Sequence, residues 1–350
     1  VKYYFLIINH FPTLTTMNVT QPIAQKLNDS ASARWAALFL VALTMMMGYY
    51  VTDLLSPLES ILTTPVAQGG LGWTADDYGF FSGSYGLINV FLLMLFFGGI
   101  ILDKLGIRFT GVLSTSLMVV GVLIKYVAVS TDFHGAVFSI GSFHLPMSAA
   151  VACLGFAIFG VGSEITGITI SKTITKWFTG HELALAMGVQ VALARLGTAA
   201  ALGLNLPLAK ATDLGLQLPV LVGAALLIAG LLGFLVYNVM DRRLDASIAA
   251  VAGEFATEEA EDESFKFSDL GKIFSNPGFW LIALLCLLFY SGVFPFLKFA
   301  TKLMISNYGV AEEYAGLIPG LLPFGTIILT PLFGIVYDKV GKGATLMLIG

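Results

Sequence analysis

Charged residues are scarce in this sequence. Asp, Glu, Lys and Arg make up 11% of its 350 residues, against about 25% in soluble globular domains. Hydrophobic residues reach 57% and the mean hydropathy is +0.87. So little polar surface cannot cover a water-soluble core. A soluble enzyme is excluded, and lipid or neighbouring helices must solvate most side chains. Cysteine is nearly absent. Cys153 and Cys286 lie far apart inside apolar runs, which argues neither a disulfide framework nor a thiolate metal site. The four histidines, His10, His134, His144 and His181, fall in tails or loops at no ligand spacing. No metal, cofactor or nucleophile constellation is expected, and therefore no enzyme.

The first sixteen residues, VKYYFLIINHFPTLTT, hold too short an apolar stretch for a secretory leader and lack a small-residue cleavage site. Met17 is the expected start, and residues 1–33 read as a polar cytoplasmic tail. This tail carries no acidic dileucine, which points to a bacterial cell membrane rather than a lysosome.

What is present is a series of apolar runs, each of about 20 residues and long enough to cross the hydrocarbon as a helix. Spans are expected near 34–56, 77–101, 109–129, 148–171, 183–205, 217–238, 278–300 and 313–336, with the start of a ninth in ATLMLIG. The tail and the connections after even-numbered spans hold thirteen cations: Lys2, Lys26, Arg34, Lys104, Arg108, Lys172, Lys176, Arg242, Arg243, Lys266, Lys272, Lys339 and Lys342. The opposite side holds three: Lys125, Lys210 and Lys302. The bias makes the N-terminus and the even-to-odd connections cytoplasmic.

Four segments follow from this: the tail, a six-helix bundle over 34–240, an acidic central loop over 241–277 containing GEFATEEAEDESFKFSD, and a partial second bundle over 278–350. The acidic run reads as a solvated linker. Asn276-Pro277 begins the next helix, and Trp280, with Trp177 and Phe178 on the fourth span, reads as an interfacial anchor.

An internal repeat supports the division. ADDYG at 75–79 aligns with AEEYA at 311–315, and GIILDKLG at 99–106 aligns with GIVYDKVG at 334–341, at offsets of 236 and 235 residues. A duplicated helix in the same orientation is characteristic of secondary transporters built from parallel halves. Asp76, Asp77, Glu312 and Glu313 read as helix N-terminal charges.

The repeated turn resembles the hallmark G-x-x-x-D-[RK]-x-G-[RK] of the major facilitator superfamily. Gly99, Asp103, Lys104, Gly106 and, one place late, Arg108 fill the first copy; Gly334, Asp338, Lys339, Gly341 and Lys342 fill the second. The resemblance implies an all-α polytopic membrane protein with two parallel pseudo-repeated bundles, the second incomplete here. Such a turn serves as a conformational latch: glycine lets helix ends approach, the carboxylate can cap a neighbouring helix, and the cations face headgroups.

KWFTGHELALAMGVQVALARLG at 176–197 and GVFPF at 292–296 further resemble the lysosomal dipeptide uniporter branch, the family of major facilitator superfamily domain-containing protein one, and its bacterial relatives. That resemblance implies movement of dipeptides by alternating access, as a uniporter. A monomer in a lipid bilayer, with no nucleic-acid partner, is expected.

Charges inside spans are expensive, about 2.5–3.5 kcal/mol each at a helix centre. Glu164 sits roughly 10 Å deep and Arg195 roughly 18 Å deep at 1.5 Å per residue, with Gln190 at the level of Glu164. The two charges either pair within the bundle or face a cavity, where Glu164 would hold an ammonium and Arg195 a carboxylate with bidentate geometry. The resemblance implies the second arrangement. Tyr290 and Lys298 on span seven are further candidates, Lys298 either snorkelling outward or binding carboxylate. Tyr49 and Tyr50 on span one either bind a peptide group or pack, with Asp53 as an outer-rim charge. The glycines of span four, Gly155, Gly160, Gly162 and Gly167, suit close helix contacts.

Rival functions are marked by absences. Spans two and eight contain no Arg or Lys, unlike nitrate and nitrite carriers. Span one lacks the E-x-x-E-R cluster of proton-coupled peptide symporters, and span five lacks the Gly-Pro-rich motif of drug antiporters. Proton- or ion-coupled transport of another small organic anion or of nitrate or nitrite, and a non-transporting receptor or scaffold with a transporter fold, remain as alternatives.

Overall fold

A computed structural model describes residues 26–254, 267–343 and 345–346. The expectations placed on Met17, on His10, on most of the acidic run and on most of a ninth span lie outside these residues.

Among the described residues eight long helices follow in chain order: α1 (Ala31–Asp53), α2 (Ala75–Phe91), α3 (Met94–Ser130), α4 (Met147–Phe178), α5 (Leu183–Ala211), α6 (Gln217–Glu254), α7 (Pro277–Tyr308) and α8 (Leu317–Val340). Seven described segments are long and apolar enough to cross a membrane, and α2, at 17 residues, falls one short of that length. The side on which α1 begins is called the near side, and the side on which it ends the far side.

The second expected span differs from what is found. Its run is broken at Leu93, which adopts φ 51, so its near-side part belongs to α3. VFLLMLFF contains no Gly or Pro to mark the break. Within α3, Gly106 leaves the helical region with φ 77 and ψ 173. It forms the elbow between the second and third crossings. Its repeat partner Gly341 adopts φ 69 immediately after α8. Both copies place glycine where a side chain would be strained.

The central segment also differs at its boundary. Helix α6 continues to Glu254, well past the expected loop start at residue 241, and a short helix, Phe267–Phe274, precedes α7. Arg108 and Lys176 draw the α6 extension in: Arg108 donates to Asp241 at 3.1 Å and to Asp245 at 2.6 Å, and Lys176 to the same carboxylates at 2.8 and 2.6 Å. On the far side, Val137–Ile140 and Phe143–Pro146 pair as an antiparallel hairpin. The signal was available in the sequence, since Gly141-Ser142 separates two short apolar runs by two residues and Gly141 takes φ 59.

Helices in lipid associate by close packing of small residues rather than by the hydrophobic effect. On α4 a Cβ at Gly162 would lie 2.5 Å from Ser114 O, one at Gly155 2.7 Å from Gly121 O, and one at Gly160 2.2 Å from Tyr85 O. The first two weld α4 to α3 and the third to α2. Glycine also lets α8 approach α5, where a Cβ at Gly334 would meet Ala184 O at 2.9 Å. In the first copy the close contact falls on Gly98, against Ile165, whereas Gly99 faces open space.

Buried apolar residues form two clusters. The first gathers Leu54, Leu58, Trp73, Tyr78, Phe156 and Phe159, and the second Leu38, Val41, Ile170, Trp177, Phe178 and Phe234. Trp177 and Phe178 are thus interior residues, 1% and 0% exposed, not interfacial anchors. The reason is that neighbouring helices cover them: Trp177 donates to the Tyr237 hydroxyl of α6 at 3.3 Å, and Phe178 packs edge-on against Trp35 of α1, ring centroids 5.5 Å apart. Lys125 is likewise interior, at 1% exposure. It belongs to α3 rather than to a far-side connection.

Candidate functional site

Four helices surround a cavity of about 390 Å³. α1 supplies Met45, Tyr49 and Thr52; α2 supplies Ser82, Gly83, Tyr85 and Gly86; α4 supplies Ser163, Glu164 and Gly167; α7 supplies Phe294, Pro295, Lys298 and Phe299. A second cavity, about 250 Å³, adjoins it. The two share Met45, Tyr49, Glu164 and Gly167, and the second adds Gln190, Val191 and Ala194 of α5 with Ile168 and Ser171 of α4.

Glu164 therefore borders both spaces. The glycines just before it, Gly160 and Gly162, clamp α4 against α2 and α3, which fixes the direction of its side chain. Its Oε1 accepts the Tyr85 hydroxyl at 2.8 Å. None of the ion pairs found within 4 Å among the described residues involves Glu164. The packing alternative, direct pairing with Arg195, is not what the structure shows.

Arg195 instead lies over Tyr49, with its guanidinium carbon 5.5 Å from the ring centroid. Tyr49 lines both cavities and Arg195 lines neither, so the guanidinium lies behind that ring. Gln190 borders the smaller cavity beside Glu164. Tyr290 does not line the larger one; its ring stacks at 5.0 Å on Phe294, which does. Tyr50 turns away from both spaces. It is 5% exposed and its hydroxyl donates to Asn205 Oδ1 between α1 and α5. One hundred degrees of helix rotation separate neighbouring residues, so only one of two adjacent tyrosines could face the cavity.

Lys298 lines the larger cavity and does not snorkel. Its ammonium donates to Thr52 O at 2.7 Å and to Asp53 Oδ1 at 2.8 Å, with the two side chains 12% and 7% exposed. Asp53 is consequently no rim charge: it is buried, and its Oδ2 accepts Thr198 of α5 at 3.0 Å. One helical turn further, Lys302 donates to Glu59 at 2.7 Å, and on the same side Lys210 pairs with Glu312. Asp77 caps α2 reciprocally with Thr74.

Tyr85, Thr52 and Asp53 are the site residues that sequence reasoning did not select. Tyr85 sits in FSGSYG, a small polar stretch in the middle of an apolar run, and that polarity was the available signal. Asp53 carried none beyond its own charge, because its partner Lys298 lies 245 residues away.

The latch residues sit at the near side, apart from the cavities. Asp103 accepts Lys172 of α4 at 2.6 Å, whereas its repeat partner Asp338 accepts the Leu185 backbone N–H at 3.1 Å, in the first turn of α5. The second copy thus places its carboxylate at a helix N-terminus, and the first places it on a cation. Arg108 is engaged by Asp241 and Asp245 rather than facing outward. Lys104 and Lys339 are exposed.

Taken together, the cavity offers an acidic wall at Glu164, a basic end at Lys298, a second cation behind Tyr49, and apolar sides. It contains no nucleophile–base pair, and no cluster of potential metal ligands occurs among the described residues. Such a space suits binding of a small zwitterion.

Comparison with known proteins bears on the family and the fold. The family model described as Major Facilitator Superfamily matches residues 38–350. The lysosomal dipeptide transporter MFSD1 of Bos taurus is 26% identical over 262 residues, as is that of Homo sapiens, covering 72% of this chain and 51% of each relative. The same transporter of Gallus gallus is 28% identical over 197 residues, 54% of this chain and 43% of the relative. The chain spans about half the length of the curated relatives it matches. Among solved structures, the partially occluded inward open conformation of the xylose transporter XylE from E. coli aligns with a TM-score of 0.60 at 15% identity, over 89% of this chain and 72% of that one. At that identity the likeness is one of fold.

Proposed function

The chain belongs to the major facilitator superfamily, and from that premise we propose that it serves secondary transport of small zwitterions, dipeptides first among them, by alternating access. The observation that carries this reading is the unpaired Glu164 at a cavity whose other polar end is Lys298. A dipeptide presents an ammonium and a carboxylate at its two ends. Glu164 takes the ammonium; Lys298, with Arg195 on the face of Tyr49, supplies positive charge for the carboxylate. Tyr85 orients Glu164, Gln190 offers a neutral donor and acceptor beside it, and Phe294 and Phe299 give apolar walls for cargo side chains. The relatives named as dipeptide transporters support the same cargo class.

Uniport is the mode we assign, since both charged ends of a zwitterion are met by protein charges without a co-transported ion. The near side, which holds Lys104, Arg108, Lys172 and Lys176, is assigned to the cytoplasm by its excess of Lys and Arg. Residence in a bacterial cell membrane rests on the sequence alone, whereas the relatives' names say lysosomal. Fractionation of the native host's membranes decides between the two.

The test is counterflow of a labelled dipeptide into proteoliposomes. Uptake is expected in the wild type and is abolished by Glu164→Gln and by Arg195→Ala. Full uptake in both variants overturns the site. Uptake that collapses with a protonophore overturns uniport.

A further inference from the structure

Lys298 belongs to two arrangements at once. It lines the cavity that holds Glu164, and it is the α7 end of a buried ion pair with Asp53 of α1. With Lys302 on Glu59, it closes the far side by two successive ion pairs between α7 and the α1 segment. Asp53 has a second cation close by. Lys125 of α3, fully buried, donates to Val51 O at 3.1 Å and lies over the Phe156 ring at 4.6 Å, the same ring that Lys298 faces at 5.5 Å. No carboxylate lies within 4 Å of Lys125 among the ion pairs of the described residues. Two ammonium groups thus flank one aromatic ring beside a single carboxylate.

We propose that Lys298 is the residue through which cargo opens the far-side gate: a cargo carboxylate draws Lys298 off Asp53, and Lys125 then balances the charge that Asp53 retains. The inference rests on the proposed carboxylate-bearing cargo. Removing one partner of a buried ion pair strands the other and is strongly disfavoured. Exchanging one carboxylate for another on the same lysine strands neither, provided a second cation serves the carboxylate left behind. Lys125, in its protonated form, meets that condition. A cargo with an ammonium but no carboxylate would engage Glu164 and leave the gate shut. Discrimination against it would then come from failure to open rather than from failure to bind.

The experiment follows far-side accessibility in proteoliposomes of the full chain. A Cys153→Ala, Cys286→Ser background receives Thr301→Cys, a buried α7 position between Lys298 and Lys302, labelled by a membrane-impermeant maleimide at the far face. The probes are a dipeptide and its C-terminal amide, with binding of each measured separately by thermal shift. A resting open state at about 10% or less leaves room for a rise of about tenfold. That rise is expected with the free acid and absent with the bound amide. Asp53→Asn, or Lys298→Gln if the first does not fold, raises labelling without ligand. Lys125→Met blunts the rise caused by the acid while binding persists. Equal opening by acid and amide overturns the inference and leaves the dipeptide reading intact, as does unchanged ligand-free labelling in the gate variants. Failure of both peptides to bind overturns the dipeptide reading, and the inference falls with it.

Discussion

Arg195 lies against Tyr49, its guanidinium carbon 5.5 Å from the ring centroid, instead of reaching Glu164. With the guanidinium held on the ring, the two opposite charges form no ion pair, and the proposed site gives each a separate part of the cargo.

The ring of Tyr49, not its hydroxyl, should therefore carry that role. A partly desolvated cation–π contact is worth about 1–2 kcal/mol, or about tenfold in an equilibrium. Tyr49→Phe is expected to keep dipeptide affinity within a few-fold of wild type, and Tyr49→Ala to weaken it about tenfold. Equilibrium binding in detergent measures both. Equal losses in the two variants would assign the contribution to the hydroxyl.

Tyr85 acts through Glu164. A hydrogen bond to a charged group contributes about 1.5–3 kcal/mol, of which cargo binding feels the part that depends on carboxylate orientation. Tyr85→Phe should weaken binding of the dipeptide by roughly tenfold. In a Glu164→Gln background the same change should have little further effect, and a double-mutant cycle measures the difference.

The glycines divide into those that touch and those that do not. Gly162→Ala forces a methyl to 2.5 Å from Ser114 O, while Gly99→Ala meets nothing within 4 Å. Overpacking of this kind costs about 1–3 kcal/mol. At Gly106, with φ 77, alanine adds a backbone cost of roughly 1–2 kcal/mol. Thermal unfolding in detergent should rank Gly162→Ala and Gly106→Ala below wild type and leave Gly99→Ala close to it.

Asp241 and Asp245 share two cations but not their surroundings: their side chains are 2% and 41% exposed. Asp241→Asn removes the buried partner of Arg108 and Lys176, which both keep Asp245, and should cost about 1.5–3 kcal/mol. Asp245→Asn should cost about 1 kcal/mol or less. Denaturation midpoints of the two variants give the comparison.

Glu182 provides a pH-dependent contact. A backbone hydrogen bond, and then the Arg34 guanidinium at 3.3 Å, hold its carboxyl below the ordinary 4.5. A depressed value means that the folded state prefers the ionised form. The contribution is therefore present above the ordinary value and is lost as pH falls through the depressed one. With half its side chain exposed, it amounts to under about 1 kcal/mol. The stability gap between wild type and Glu182→Gln should close on acidification below about pH 4. A gap that widens there contradicts the assignment.

The crossings and the duplicated turn were legible in the sequence, because each is local: an apolar run, a glycine at a fixed offset. Glu164 and Arg195 stood out as charges in apolar runs, which is a property of one residue and its neighbours. Tyr50 and Tyr49 could not be separated, since a helix surrounded by lipid and protein shows no amphipathic face by which to assign rotation. Lys298 with Asp53, and Arg108 with Asp241, were missed as pairs because a partner on a distant helix leaves no mark on the local composition. Trp177 and Phe178 misled because aromatic residues at a helix end suit an interface and a covered pocket equally.

The glycine contacts of α4 have a mechanical meaning. Where backbone meets backbone, as at Gly155 and Gly162, two helices share one stiffness and displacement of either carries the other. Where helices are joined through the ends of long lysine side chains, as α1 and α7 are, the joint yields at small cost because rotamers change before the backbone does. Glu164 is thus mounted on a rigid wall and Lys298 on a compliant one. Work done by the proposed cargo, stretched between them, would go almost wholly to the compliant side.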